Sequence, residues 1–543
     1  MSLWLPFALR AKLTLRLGVA IAAAAIIGYG SARLHAEPAA QLDQKHTRRY
    51  AATVLASTSV GVHAFEATLQ LDGGATLLAS LASPPPLAGT HVLLRGRFAP
   101  FDGPRNPGEP DRGLIEAERG LAGTLEGATV LETLAPEPIT AAIVLADVRA
   151  LASERLRKGI DEPYASILAG ELWGEKSALP ADLRSEFQDS GTVHILVTAG
   201  LHLGAVAWLT LLLVQWLGLP RTGACALVAA VVWCYAMFSG LHLPAVRAAG
   251  MITFALAARA AGAKACSWNA LAAAAILALL LDPQCIRSAS FAMSFSCVGA
   301  IFLVGPLLKA GFDRFADFPA PVAEALTLSI ATQLGVWPLI ASTFLLFAPY
   351  SVLANAAVVP CVGLTMLLGT LQIACADVAP VAHAIASVNA WVLHWMVSAV
   401  QTVAALPHAH IVMTPPPLWT IAVYDGALIA GVWLVRRCAY TPACALLLVA
   451  CMAVISPPGA RAQTLRVTVL DVGQADAIVV QTPAGHAFLI DAGGRLERGP
   501  QSEGDSMAEH VGETIVAPFL IRAGIHHLDA VVLSHPHGEQ KRN

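Results

Sequence analysis

The sequence predicts a polytopic α-helical membrane protein, with a small all-β domain ahead of its spanning block and the start of an α/β domain behind it. Three observations carry this reading. Hydrophobic residues make up 56% of the 543 residues and charged residues only 13%, against about 25% charged in a soluble domain. The mean hydropathy is +0.63, so lipid is the main solvent. Ten apolar runs of near-spanning length follow one another between residues 192 and 456, and with one more at the N-terminus they predict about 10–11 spans.

The first run, 13–29, has Arg10, Lys12 and Arg16 at its start. It predicts an N-terminal transmembrane helix within 1–30, with the N-terminus in the cytoplasm by the positive-inside rule. Residues 45–135 change character. Short β-type runs at 52–59, 63–71, 75–81 and 90–98 are separated by Gly and Pro clusters such as Asp72-Gly73-Gly74. They predict a small extracytoplasmic β-barrel or sandwich, followed by a Pro-rich stretch at 100–110.

The multi-spanning region is assigned to 140–456. Its first fifty residues are partly helical, and Arg149, Glu154, Arg155, Arg157 and Lys158 give them a charged, interfacial face. The ten runs then fall at 192–217, 222–240, 243–262, 267–283, 289–308, 322–346, 350–375, 381–405, 417–435 and 439–456. Arg436 and Arg437 place the last short loop in the cytoplasm, so the tail returns to the outside. Within 464–543, strand-like runs at 465–470, 477–481 and 487–490, a helical stretch near 510–523 and a strand at 528–533 begin an α/β domain. All ten cysteines lie in the hydrophobic block at irregular spacings without a CxxC, which suits apolar packing rather than disulfides or metal. No Walker-type phosphate loop is present, so an ATP-driven step requires a partner.

Polar residues inside apolar runs mark candidate sites, because a charge at mid-membrane costs roughly 2.5–3.5 kcal/mol on insertion scales. His194 and His202 are eight apart within Gly191 to Leu203, a spacing that predicts one shared helical face. Gly240, His242 and Pro244 predict a broken helix, with Arg247 just beyond the break. An arginine lining a path through lipid suits a polyanion. Asp282-Pro283 and Gln333-Leu334-Gly335-Val336-Trp337-Pro338 are two further polar segments in the apolar block. Each of these residues also has a plain reading, as a cap or kink in a spanning helix.

Taken in order, these segments resemble the ComEC-type competence family of DNA-internalisation membrane proteins. A Gly-x-x-His-x-Leu-x-x-Ser-Gly-Leu-His pattern stands here as Gly191 to His202, with Ala199 for the serine. A Pro-Ser-x-x-Arg-Ala pattern stands as Pro244-Ala245-Val246-Arg247-Ala248, and a Gly-Phe-Gln-Leu-Ser-Phe pattern as Ser290-Phe291-Ala292-Met293-Ser294-Phe295. Asn106-Pro107-Gly108 and the stretch Ala117 to Gly123 also match the family's sequence after its β-domain. The resemblance implies that 45–135 is an oligonucleotide-binding-like (OB-like) domain and that 140–456 passes single-stranded DNA. It implies His194, His202, His242 and Arg247 as candidates for the DNA path. It also implies partners: single-stranded DNA, the bilayer, a DNA receptor and an ATP-driven helicase of the competence machinery. A homo-oligomer remains open.

The tail looks like the start of a metallo-β-lactamase-type hydrolase. Asp471, Asp476 and Asp491 stand at its strand ends, and Ser534-His535-Pro536-His537 follows the last strand. The signature His-x-His-x-Asp-His converges on paired metals that activate water. Here Glu539 and Gln540 occupy the Asp and His positions, and the sequence reaches Asn543. His535 and His537 therefore read as metal ligands of an incomplete site. Zinc or another divalent metal is expected only were the domain complete, and the tail is expected to be poorly ordered. The sequence-level conclusion is a DNA-uptake channel component, without working nuclease activity. The alternatives are a solute transporter, a membrane-anchored metal-dependent nuclease, and a gene fragment without function.

Overall fold

A computed structural model describes residues 46–534, apart from 60–64, 82–88, 118–119, 134–140, 175–178, 197–199, 241–242, 263–266, 282, 316–318, 456–463, 474–475 and 494–510. The N-terminal helix expected within 1–30 lies outside the described residues, as do His242, His535 and His537. The chain forms two compact units. Among the described residues, one comprises 144–337 and 348–411; the other comprises 46–143, 338–347 and 412–534.

The first unit is helical. Helix α2 (Ala141–Arg157) is followed by α3 (Tyr164–Trp173) and α4 (Ala181–Asp189); the short α1 (Arg112–Ala117) belongs to the second unit. Then come α5 (Gly200–Trp216), α6 (Arg221–Phe238), α7 (Leu243–Ala260), α8 (Ser267–Leu281), α9 (Ala289–Phe315), α10 (Ala320–Phe344), α11 (Ser351–Ala374) and α12 (Ala379–Ala404). With α13 (Leu418–Arg436) and α14 (Tyr440–Ile455) of the second unit, ten helices occupy the ten apolar runs. Five of them are long and apolar enough to cross a membrane: α6, α9, α10, α11 and α13. Helices α5, α8 and α14 are apolar but shorter.

The breaks follow local chemistry. Ser239 ends α6, Gly240 takes φ +96°, and Pro244 stands in the first turn of α7, where its missing N–H costs nothing. A 3₁₀ turn, Pro283–Arg287, separates α8 from α9. Helix α10 fills the apolar run expected at 322–346 and runs continuously through Pro338. Gly335 is a packing residue. A Cβ there would lie 2.3 Å from the Cβ of Ala300 and 2.9 Å from the carbonyl oxygen of Ser296, so α9 and α10 approach at backbone distance.

The charged face of α2 caps helix ends rather than only meeting solvent. Arg149 donates from Nε to the Phe238 carbonyl (2.6 Å) and from Nη2 to that of Met237 (3.2 Å), covering the last turn of α6. Arg155 donates to the Ile373 carbonyl (3.2 Å) at the end of α11 and pairs with Asp377. Cations suit these positions because C-terminal carbonyls are unpaired and carry the negative end of the helix dipole.

In the second unit, strands β1 (Arg48–Ser59), β2 (Phe65–Leu71), β3 (Thr76–Leu81), β4 (His91–Ala99) and β5 (Gly123–Thr133) close a barrel in the order β1-β2-β3-β5-β4. Alternation puts Ala67, Leu69, Leu77, Ala79, Val92, Leu94, Phe98 and Leu125 inside. The fifth strand escaped the β-type runs read from sequence. It lies beyond the Pro-rich stretch and pairs parallel with β3 as well as antiparallel with β4. Gly96 makes room for it, since a Cβ there would sit 2.5 Å from Leu125 Cγ.

The described part of the tail forms a small sheet. Strands β6 (Arg466–Val469), β7 (Ile478–Gln481), β8 (Ala487–Ile490) and β9 (Ala530–Val532) form a sheet in the order β9-β8-β7-β6, with α15 (Ala517–Arg522) after a π-helical turn. Leu470, Val472, Val479, Leu489, Val516 and Phe519 pack into a core of their own, which is why the described part holds together. The anticipated uncovered apolar surface is nonetheless present: Val467, Val469 and Val531 are each more than half exposed.

Gly335→Ala is expected to lower the thermal midpoint of the purified protein in detergent, because overpacking of this kind costs about 1–3 kcal/mol. Gly299→Ala, where nothing lies within 4 Å of the new Cβ, should leave it unchanged.

Candidate functional site

The polar residues of the helical unit do not form one cluster. His194 lies on a 3₁₀ turn, Val193–Leu196, and is exposed. His202 lies in the first turn of α5 and is fully buried. Among the described residues the two do not share one α-helix, because His194 lies on the 3₁₀ turn and His202 on α5. The turn before it is fixed by Gly191 (φ +75°), where a Cβ would sit 2.6 Å from that of Ser351. Ser190 and Thr192 hold this turn through a 2.7 Å hydroxyl contact, and the Thr192 N–H donates to the Phe187 carbonyl (2.8 Å).

Arg247, in the second turn of α7, is 2% exposed. Its Nη2 donates to the Ser290 carbonyl (3.0 Å) and to the Ser290 hydroxyl (3.2 Å) at the start of α9. The break between α6 and α7 and the 3₁₀ turn before α9 bring these two helix starts together.

A buried group that sequence reading did not single out lies on α3. Glu171 is fully buried, and burial pushes its carboxyl up to about 8. The Thr365 hydroxyl of α11 donates to its Oε2 (2.8 Å), and the Tyr235 hydroxyl donates to its backbone carbonyl (3.2 Å). Asn389 of α12, also fully buried, donates to the Thr365 carbonyl (3.2 Å). Gly369 lets the three helices converge, because a Cβ there would meet Leu172 at 3.3 Å and Asn389 Nδ2 at 3.6 Å. The available signal was a lone acid in the apolar run Ser166-Ile167-Leu168-Ala169-Gly170-Glu171-Leu172-Trp173.

In the tail, Asp471 is exposed and Asn106 grips its backbone. The Asp471 N–H donates to Asn106 Oδ1 (2.8 Å), and Asn106 Nδ2 donates to the Asp471 carbonyl (3.1 Å). Arg105 lies 3.8 Å from the Asp471 carboxylate. Asp476 is exposed, and its carbonyl accepts from the Gly493 N–H (3.0 Å). Asp491 is 4% exposed, at φ +52°. Its Oδ1 accepts the Ser534 N–H (2.8 Å), which fixes the backbone immediately before His535. The Asp529 carboxylate, between the His486 ring (2.9 Å) and the Ala487 N–H (2.8 Å), is held below the usual range by those hydrogen bonds. Among the described residues, no group of three or more His, Cys, Asp and Glu side chains could hold a metal ion.

A family model described as "Competence protein" matches residues 172–438. ComE operon protein 3 of Bacillus subtilis (strain 168) is 24% identical, over 67% of this chain and 46% of its own length. Competence protein ComA of Neisseria gonorrhoeae is 29% identical, over 67% and 49%. Over this region the chain is similar to the competence-protein family. It is also similar to an uncharacterized protein of Escherichia coli (strain K12), YcaI, at 24% identity over 69% of this chain and 49% of the relative. The chain thus spans about half the length of the curated relatives it matches. No solved structure matches it.

The competence-family match includes His194, His202, His242 and Arg247, begins one residue after Glu171, and stops before the tail acids. Within it, Thr365 and Asn389 are fully buried, as is His202. Asn106, in the Asn106-Pro107-Gly108 stretch, bonds to the tail's backbone.

Two outcomes are expected. A carboxyl raised by burial disfavours folding increasingly as pH rises from its unfolded range toward its folded value. Glu171→Gln should therefore match the wild type in thermal midpoint at low pH and exceed it by a growing margin up to about 8. Asn106→Ala should cost about 0.5–1.5 kcal/mol for each hydrogen bond lost. Hydrogen exchange at the Asp471 amide should accelerate, read by mass spectrometry on the peptide containing β6.

Proposed function

We propose that this chain is a channel component of the plasma (inner) membrane, through which single-stranded DNA reaches the cytoplasm during natural transformation. The observation that carries the reading is the competence-family match over 172–438, which places Arg247 and its neighbours inside the matched region. One relative is named competence protein ComA and another ComE operon protein 3. The ten helices in the ten apolar runs support a multi-pass protein of about 10–11 spans. The charge clusters at Arg10, Lys12 and Arg16 and at Arg436 and Arg437 support a topology with the barrel and the tail outside.

The closed five-stranded barrel supports an oligonucleotide-binding role for 45–135, since that architecture is used to bind single strands. His194, His202, His242 and Arg247 are the DNA-path candidates, with Arg247 the one whose burial and charge fit a polyanion route. The reading assigns no hydrolysis to the tail, because Glu539 and Gln540 stand where the signature has Asp and His. Zinc or another divalent metal belongs to this reading only through His535 and His537 in a completed site. A DNA receptor, an ATP-driven helicase and a second copy of the chain are its proposed partners.

Deleting the gene from a naturally competent host should abolish transfer of labelled DNA to the cytoplasm while DNA still binds at the cell surface. Unchanged cytoplasmic uptake would overturn the proposal.

A further inference from the structure

Arg247 and the start of α9 are both positive, and they touch. Arg247 is 2% exposed. Ser290, whose carbonyl and hydroxyl accept from Nη2, is the second residue of α9, a helix of 27 residues. A helix start carries unpaired N–H groups and the positive end of the dipole, and it is a ready anion site. Ser288 caps it by accepting the Ser290 N–H on its hydroxyl (3.2 Å), and Ser288 is itself 2% exposed.

The guanidinium is only partly used. It has five N–H donors. Among the described residues, Nε and Nη1 are buried and have no hydrogen-bond partner. Ser290 offers neutral oxygens and no counter-charge. A buried cation with unused donors, set against a helix start, leaves a positive locus that a negative group would satisfy. Lysine would fill it as a point charge. Arginine, with planar N–H pairs, matches the oxygens of a tetrahedral oxyanion.

We propose that Arg247 and the first turn of α9 form a binding site for an oxyanion of the phosphate class. The anion is held by the guanidinium donors that Ser290 does not use and by the N-terminal field of α9. Two sources carry this chemistry: the backbone phosphate of a nucleic-acid strand and free inorganic phosphate. The site stands independently of the DNA-uptake reading. If the strand is its source, Arg247 contacts the cargo directly.

The test uses the full chain purified in a non-ionic detergent without phosphate. Binding of radiolabelled inorganic phosphate and of a short thymidine oligonucleotide is measured by equilibrium dialysis at constant ionic strength. Saturable phosphate binding is expected, displaced by sulfate but not by chloride. Arg247→Gln should weaken it by about tenfold or more, the scale of a charge-assisted hydrogen bond. Arg247→Lys, which keeps the charge and loses the planar donors, should weaken it less and serves if the glutamine variant does not fold. Oligonucleotide binding that competes with phosphate and falls in the same variants identifies a strand as the source. Phosphate binding without such competition identifies the free anion. Absence of saturable binding of either probe to the wild type, or binding unchanged in both variants, overturns the proposal, whatever the outcome of the uptake experiment.

Discussion

Lipid offers no hydrogen bonds, so each polar group that these helices carry must be satisfied inside the protein or by something bound to it. Much of the helical unit can be understood from that constraint. Arg149 and Arg155 reach from α2 to the carbonyl ends of α6 and α11. Ser190, Gly191 and Thr192 close the turn before α5 with their own hydroxyls and backbone. Glu171, Thr365 and Asn389 bond in series where α3, α11 and α12 meet. The same rule explains the glycines that matter. Gly335 and Gly369 bring helices close enough for backbone and short polar side chains to meet, a role small residues have in membrane packing.

The second unit follows a different rule. Its barrel buries an alternating set of Val, Leu and Ala and has no open edge. The tail sheet buries less and leaves β6 and β9 with exposed valines. What steadies its first strand is an amide side chain, Asn106, bonded to both backbone groups of Asp471. A loop that reads in sequence as a Pro-rich connection is thus an attachment point, and its Gly108 passes 3.5 Å from the Arg522 side chain.

The candidate residues were unevenly legible. Arg247 stood out because a charge in an apolar run has few innocent explanations, and its burial bears out its unusual position. The spacing of His194 and His202 suits one helix, whereas the described residues put His194 on a 3₁₀ turn and His202 on α5. Glu171 went unnoticed because a single acid in a ten-residue run reads as an interfacial residue; only the packing of three helices over it removes it from water. The acids of the tail were correctly located at strand ends. That Asp491 grips the backbone before His535 while Asp476 contributes only a carbonyl required the folded loop.

By itself the sequence determined what period and composition can carry: ten apolar helices, a β-domain before them, an α/β segment after them, and a family resemblance through ordered short motifs. These are local or additive properties, readable along the chain. The tertiary structure alone decided which polar groups meet, because residues 194 positions apart, such as Glu171 and Thr365, become neighbours only through helix packing. It alone closed the barrel through a parallel pairing of β3 with β5. It alone set Arg247 against the start of α9, because that contact depends on two separate breaks in the helices folding toward each other.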